Sequence, residues 1–270
     1  MKYAIILLSA LSLCFFACSH SEQAPKETEQ KVQITEAAPP PATKEITKAD
    51  IVLNQAFEAH GGEAYNSAHY EFVFRKKQYT FHNSGSDFRY TVERSEKGNS
   101  VVDILDQNGF QRLVDGKPDT LSEKKIAGYT GSVNSVIYFV TLPHKLLDPA
   151  VNLRHQGRAA IAGKDYDVLE VYFDEEGGGT DHDDEFYYWI NSETHLIDYL
   201  AYSYRVNGGG VRFRSAYNPR TVDGIVFQDY VNYKAPVGTH LAELPGLFEE
   251  DKLEKLSLIE TEDVRSLKGN

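Results

Sequence analysis

EFVFRKKQYTFH (residues 71–82) decides the fold class, because its apolar and polar residues alternate with a period of two. Clusters of Gly, Asn, Asp and Ser separate it from further alternating runs, which is typical of antiparallel strands joined by short turns. DGKP (115–118) and AGKD (162–165) are predicted hairpin tips. The alternating runs of the first half are DFRYTVERS (87–95), SVVDILDQ (100–107) and GFQRLVDGK (109–117).

The second half of the chain repeats this pattern and is richer in aromatic residues. INSETHLI (190–197) predicts a hairpin, and NPRTVDG (218–224) predicts the next connection. With about ten predicted strands and few helices, we expect a mainly β (α+β) protein with a large curved antiparallel sheet. The predicted strands are YDVLEVYFD (166–174), EFYYWIN (185–191), HLIDYLAYSYRV (195–206), GVRFRSAYN (210–218) and GIVFQDYVNYK (224–234).

A helix is predicted before the first strand, in ITKADIVLNQAFEAHGG (46–62). Thr47 can cap its start and Gly61 can end it in a left-handed conformation. His60 then lies at the carboxyl end of the helix dipole, where an imidazole is favourable. We interpret His60 as structural, because nothing nearby completes an acid–base pair.

GSVNSVIYFVTLPHKLLDPAV (131–151) interrupts the strands and is apolar almost all round. Its spacing predicts a helix over residues 131–142 that Pro143 ends or kinks. Such a segment needs cover on both sides, either as a helix packed on the sheet or as a lid over a ligand cavity. A helix-like stretch is also predicted near the carboxyl terminus, from Leu253, Leu256 and Ile259.

Both cysteines of the chain lie in LLSALSLCFFACSHSEQ (7–23). A short basic end and an apolar core resemble a bacterial secretory signal, and the residues before Cys18 resemble a lipobox, which implies that Cys18 carries acyl chains. An ordinary secretory signal, or a disulfide between the cysteines, is the alternative. We expect a signal peptide at 1–17, a Pro-rich spacer with acylated Cys18 at 18–46, one domain at 47–262 and a tail at 263–270.

The net charge of the chain limits the classes of partner that we expect it to bind. The chain has 28 Lys and Arg against 40 Asp and Glu, a formal net charge of −12. A surface of this sign repels nucleic acid and anionic headgroups. We therefore expect no nucleic-acid partner, and attachment to a membrane through the acyl chains on Cys18.

EEGGGTDHDDE (175–185) is the densest acidic cluster and the one candidate metal site. On an extended strand Asp181, Asp183 and Glu185 share a face and could hold a hard cation. A solvated hairpin loop explains the same residues, and we prefer it. No catalytic motif is found, so we predict no catalytic residue and no cofactor, and the balance is against an enzyme.

Four segments resemble a family of uncharacterised bacterial lipoproteins related to the LolA/LolB-like lipoprotein-sorting proteins: AHGGEAYNSAHYEF (59–72), SVNSVIYFVTLPHKLLDPAV (132–151), FYYWINSETHLIDYLAYSY (186–204) and GGGVRFRSAYNPRTVDGIVFQDYVNY (208–233). The resemblance implies an open half-barrel sheet whose concave apolar face is covered by helices and can receive acyl chains. It implies a cell-envelope location, with the outer membrane expected. No functional residue of that family matches a position in this chain.

The sequence therefore predicts a tethered envelope lipoprotein that binds a lipid, a lipoprotein acyl group or another hydrophobic ligand noncovalently. A protein-interaction module with a filled core, contacting partners through its acidic Gly-rich loops, is the alternative, and a metal-dependent hydrolase at 181–185 is a third. The candidate cavity residues are Phe72, Phe74, Ile137, Val140 and Trp189.

Overall fold

The computed structural model describes residues 45–174 and 184–268, which all belong to the second of two units of the chain, Glu45–Asn270. The first element is helix α1 (Lys48–His60). The Thr47 hydroxyl accepts a hydrogen bond from the Asp50 N–H at 3.2 Å, and the Asp50 carboxylate accepts one from the Thr47 N–H at 2.8 Å. This reciprocal capping box, with Gly61 as the C-cap, confirms both predicted ends of α1.

Sheet one contains seven antiparallel strands in the order β14-β1-β2-β3-β4-β5-β6. Helix α2 (Glu123–Val140) follows β6 in the chain. The strands are β1 (His69–Phe74), β2 (Lys77–Ser84), β3 (Asp87–Glu96), β4 (Asn99–Asp106), β5 (Gly109–Val114), β6 (Lys117–Pro118) and, from the carboxyl terminus, β14 (Glu262–Ser266).

Sheet two contains the other seven strands, again antiparallel, in the order β13-β12-β11-β10-β9-β8-β7. A short helix, α3 (Leu244–Glu249), precedes its last strand. The strands are β7 (Val151–Ile161), β8 (Lys164–Phe173), β9 (Glu185–Asn191), β10 (Ile197–Tyr204), β11 (Gly210–Val222), β12 (Ile225–Ala235) and β13 (Glu254–Ile259).

The predicted mainly β class with open antiparallel sheets is confirmed. The strands number fourteen among the described residues, more than the predicted ten, and they hydrogen-bond as two sheets. The sheets meet where Tyr70 of β1 packs against Phe227 of β12, with ring centroids 5.5 Å apart. The Tyr70 hydroxyl also donates to the Asp223 carbonyl at 2.7 Å, so a buried ring and its polar end both join the sheets.

Helices cover sheet two on both faces. The apolar side of α1 packs on one face, and the segment around α3 covers the other through Leu241 and Leu244. Both predicted hairpin tips are confirmed, with positive φ at Asp115–Gly116 and at Ala162–Gly163. Helix α2 begins earlier than the predicted residue 131, and it ends at Val140, before Pro143, as predicted.

Two predictions in the carboxyl-terminal half are wrong. NPRTVDG is not a connection: Pro219 lies inside β11, where the pairing register shifts between Tyr217 and Arg220, and a proline is tolerated at such an irregularity. The turn is formed by Asp223 and Gly224 alone. Residues 254–259 form β13 and not a helix, because backbone pairing with β12 outweighs a short, ambiguous apolar spacing.

The predicted tail begins inside the domain. β14 starts at Glu262 and pairs with β1, placing Ser266 opposite Tyr70. Strand structure therefore extends beyond the predicted boundary at residue 262. A short polar edge strand has little apolar periodicity, so its sequence does not reveal it.

Candidate functional site

Helix α2 lies between the two sheets. Val133 and Ile137 are buried against sheet one, whereas Tyr138 and Phe139 pack against the aromatic residues of sheet two. The Tyr138 hydroxyl lies 2.6 Å from that of Tyr188 on β9. The helix therefore packs on the sheets with two of its sides, and the space along a third side becomes a cleft.

This cleft, called the α2 cleft below, has a volume of about 250 Å³ and is lined by residues of α2 and of both sheets. Pockets for small molecules span about 300–1,000 Å³, so the α2 cleft suits one narrow group rather than several chains. Its lining combines an apolar wall with hydroxyls and two arginines: Phe74, Arg75, Ser132, Ser135, Val136, Phe139, Val140, Arg214, Ile259 and Thr261.

Four of the five predicted cavity residues lie near the α2 cleft. Phe74 and Val140 line it directly. Phe72 and Ile137 belong to the same apolar cluster but are 0% and 1% exposed, packed beneath its wall. Phe72 stacks on Tyr79 with ring centroids 5.3 Å apart, so its role here is core packing.

Trp189 lies away from the cleft. Alternation along β9 turns Tyr188 toward α2 and Trp189 toward the opposite face of sheet two. There Trp189 packs edge-on against Phe213, with ring centroids 5.8 Å apart. The phase of one strand therefore places this tryptophan in a different core cluster.

Arg214 is one of the cleft residues that sequence reasoning missed. It lies on β11 and is 7% exposed. Its neighbours alternate as in any half-buried strand, with Val211 and Phe213 on one face, which suggests a polar face for Arg214. In the structure this face does not meet water, because Phe139 of α2 packs over the Arg214 guanidinium. A sheet that is covered on both faces buries the side chains on both sides of its strands. Recognising such a sheet in the sequence is the signal that could have identified Arg214 as buried.

The environment of Arg214 is aromatic. Its guanidinium carbon lies 3.8 Å from the Phe139 ring centroid, and one Nη donates to the Tyr202 hydroxyl at 3.0 Å. Within the described part of the chain, the buried Nε has no hydrogen-bond partner. A cation over an aromatic face gains up to about 2 kcal/mol when desolvated. Moving the ion out of water costs several kcal/mol, so these contacts compensate only part of its burial.

A second buried charge cluster lies under the first half of α2. Asp103 on β4 accepts from Arg112 Nε at 2.5 Å and from Arg94 Nη1 at 2.8 Å. The Arg112 guanidinium also stacks on Tyr129 of α2, with its central carbon 3.7 Å from the ring centroid. Every group here has a partner, so we interpret the cluster as an attachment of α2 to sheet one.

His60 serves the fold, as predicted. It is 1% exposed, and its Nε2 accepts a hydrogen bond from the Ile197 N–H at 3.1 Å. That bond leaves the proton on Nδ1, so the imidazole is neutral. Burial lowers the pKa of His60 to about 4, which keeps this state at physiological pH.

The candidate cation site cannot be assembled from the described residues. Asp181 and Asp183 lie outside them, and Glu185 begins β9 opposite Ser203. In residues 45–174 and 184–268, no three His, Cys, Asp or Glu side chains group as metal ligands would. Cys18 also lies outside the described residues. None of the helices in those two ranges has the length and apolar character needed to cross a membrane.

The fold and the site define an open antiparallel β protein whose helix covers a small apolar cleft. The chain belongs to the family of unknown function DUF6503, whose model matches residues 49–261. No curated protein matches the chain in sequence.

Several solved structures resemble it. The LolA superfamily protein NE2245 from Nitrosomonas europaea aligns over 81% of this chain and 93% of that chain, at 10% identity and a TM-score of 0.48. An outer membrane lipoprotein-sorting protein domain from Vibrio parahaemolyticus aligns over 82% of this chain and 94% of that chain, at 13% identity and a TM-score of 0.44. A DUF1329 family protein from Desulfovibrio piger aligns over 82% of this chain and 94% of that chain, at 10% identity and a TM-score of 0.39.

The predicted resemblance to an uncharacterised family is confirmed by the family model, and the solved structures similar to the chain include proteins of the lipoprotein-sorting group. Because each of the three TM-scores is below 0.5, the matches say nothing about the ligand of this chain.

Proposed function

We propose that this protein is a cell-envelope lipoprotein that binds a lipid, an acyl chain or another hydrophobic ligand noncovalently in the α2 cleft. The observation that carries the proposal is the apolar wall of that cleft, formed by Phe74, Val136, Phe139, Val140 and Ile259. Removing apolar surface from water stabilises a complex by roughly 25 cal/mol per Å². A chain segment that buries about 100 Å² would therefore gain about 2–3 kcal/mol.

Lipid extraction from the purified protein tests ligand binding. Organic solvent removes noncovalent lipids, while acyl chains attached to a cysteine stay with the protein, so mass spectrometry of the two fractions separates the sources. We expect one class of apolar compound at a fixed ratio to the protein. An extract with no such compound, together with no uptake of added fatty acid or lipopeptide, would contradict the proposal.

A pair of substitutions on α2 tests the location. Val140→Glu places a carboxylate on the apolar wall, where its burial is costly, and is expected to abolish lipid retention. Asn134→Glu adds the same charge at an exposed position of α2 that does not line the cleft, and should leave retention unchanged. Circular dichroism must show that both variants fold. A folded Val140→Glu protein that retains lipid as the parent does would exclude the α2 cleft.

Attachment to the membrane, with the outer membrane as the expected one, is part of the same proposal and rests on the lipobox-like residues before Cys18. Metabolic labelling with an alkynyl fatty acid tests it. Cys18→Ser should abolish the label, whereas Cys14→Ser should keep it, since Cys14 lies within the predicted signal. Equal labelling of the Cys18→Ser variant would disprove the anchor. Fractionation of the labelled membranes identifies which one holds the protein.

One observation favours a second function, a protein-interaction module. Leu256 and Leu258 on β13 are 40% and 46% exposed, and β13 is an edge strand of sheet two. An exposed apolar edge strand can pair with a strand of another chain. Crosslinking in cells, compared between the parent and a Leu256→Lys/Leu258→Lys variant, tests it. Loss of a specific crosslinked protein supports this function, and an unchanged set contradicts it.

A further inference from the structure

The proposed ligand site contains a buried cation, Arg214, that has no counter-ion among the residues that the structure describes. In residues 45–174 and 184–268, Arg214 forms no ion pair, and its Nε has no hydrogen-bond partner. Its guanidinium contacts the Tyr202 hydroxyl and the faces of Phe139 and Tyr202. A buried charge is normally paired, so this arrangement lacks an anion.

The other arginine that is equally buried has a carboxylate partner. Arg112, also 7% exposed, donates both Nε and Nη2 to Asp103, at 2.5 Å and 2.9 Å. The fold thus supplies a carboxylate for this buried guanidinium, whereas Arg214, which lines the α2 cleft, has none among the described residues.

Arg214 also lies beside the apolar wall. Phe139, which contacts its guanidinium, lines the same cleft as Val140 and Ile259. A ligand that filled this space would meet a cation and an apolar surface together. The volume of about 250 Å³ admits one narrow chain with a small head, and is too small for a bulky headgroup or several chains.

We propose that Arg214 binds the carboxylate of a single-chain amphiphile, a fatty acid, whose alkyl chain lies along the apolar wall of the α2 cleft. The proposal rests on the proposed function. A guanidinium presents its donors in a planar fork that matches a carboxylate, and the Arg214 side chain lines the cleft in which the ligand carboxylate would lie. The ligand carboxylate would supply the anion that Arg214 lacks.

Equilibrium binding of palmitate and hexadecanol to the delipidated protein tests this directly, at mildly alkaline pH where the acid is ionised. The two probes share a chain length and differ in the head. We expect palmitate to bind about tenfold or more tightly than hexadecanol. A hydrogen bond between charged groups contributes enough binding free energy for a difference of this size. Equal affinities would overturn the carboxylate inference and leave the proposed function intact. Binding of neither probe would overturn both.

Two variants test whether Arg214 binds the carboxylate head of the fatty acid. Arg214→Met should remove the preference for palmitate and keep hexadecanol binding within about threefold, because Met retains the apolar stem. Arg212→Met is the matched control, since Arg212 lies on the same strand as Arg214 but does not line the cleft, and should keep the preference. Loss of the preference in Arg212→Met but not in Arg214→Met would overturn the assignment.

The wild-type comparison of the two probes needs no variant, so the inference remains testable if Arg214→Met does not fold. Hexadecyl phosphate is a third probe that separates carboxylate from phosphate heads. Tighter binding of hexadecyl phosphate than of palmitate would overturn the carboxylate assignment.

Discussion

The hydroxyl oxygen of Tyr138 on α2 lies 2.6 Å from the hydroxyl oxygen of Tyr188 on β9. Burial raises the pKa of both side chains, so both remain neutral at physiological pH. This hydrogen bond joins the helix over the candidate cleft to sheet two. It is a point at which the position of α2, and with it the shape of the cleft, can be tested.

We expect Tyr138→Phe to lower the free energy of unfolding by about 1–2 kcal/mol, because it leaves the Tyr188 hydroxyl buried without this partner. The double variant Tyr138→Phe/Tyr188→Phe should lose less than the sum of the single changes. Denaturant unfolding of the four proteins measures the coupling. Strictly additive losses would show that the two hydroxyls do not interact.

Asp103 is expected to be the most sensitive carboxylate of sheet one. Asp103→Asn leaves Arg112 and Arg94 without their shared anion, and should cost about 3–5 kcal/mol of unfolding free energy. Asp106→Asn on the same strand breaks a pair with the more exposed Arg89, and should cost less than about 1 kcal/mol. Chemical denaturation of both variants checks the contrast. Similar small losses in both would mean that the buried cluster is not an attachment of α2.

His60 predicts how stability depends on pH. Its pKa is about 4 in the folded protein, and an unperturbed histidine has a pKa of 6.5, so between these pH values the unfolded chain binds a proton that the folded chain does not. Stability is therefore fully present above pH 6.5 and falls as the pH decreases toward 4. The loss attributable to His60 is about 3 kcal/mol.

Carboxylates also titrate in the lower part of this range, so the measurement is the difference between the parent and His60→Gln. The unfolding free energy of His60→Gln should depend less steeply on pH between 4 and 6.5. Parallel pH profiles for the two proteins would contradict the role of His60.

Gly61 is a position at which a single methyl group is costly. Its φ of 134° is unfavourable for other residues, and an added Cβ would come within 2.8 Å of the Gly224 carbonyl oxygen. We expect Gly61→Ala to destabilise the protein by about 1–3 kcal/mol. Gly128→Ala, in an open exposed position of α2 without positive φ, should stabilise it by up to about 1 kcal/mol. Thermal unfolding measures the Tm of both variants. Equal shifts in Tm would show that Gly61 is no more sensitive to an added methyl group than Gly128.

Local signals predicted local structure well. The Thr47 cap, the Gly61 stop and the hairpin at Ala162–Gly163 each depend on residues a few positions apart, and each is confirmed. The failures concern residues whose state depends on distant neighbours. Residues 254–259 became a strand through pairing with β12, and Trp189 was placed by the phase of β9.

The sequence by itself determined the class of this protein, because period-two alternation and turn residues act over a few positions. It also determined the net charge of −12, on which the expectation of no nucleic-acid partner rests. Only the tertiary structure decided the candidate site. Phe74, Val140 and Arg214 come from three separate elements, and the burial of Arg214 depends on α2 covering a strand face that would otherwise be polar. Burial of a charge is a property of the packed layers, which no short stretch of sequence contains.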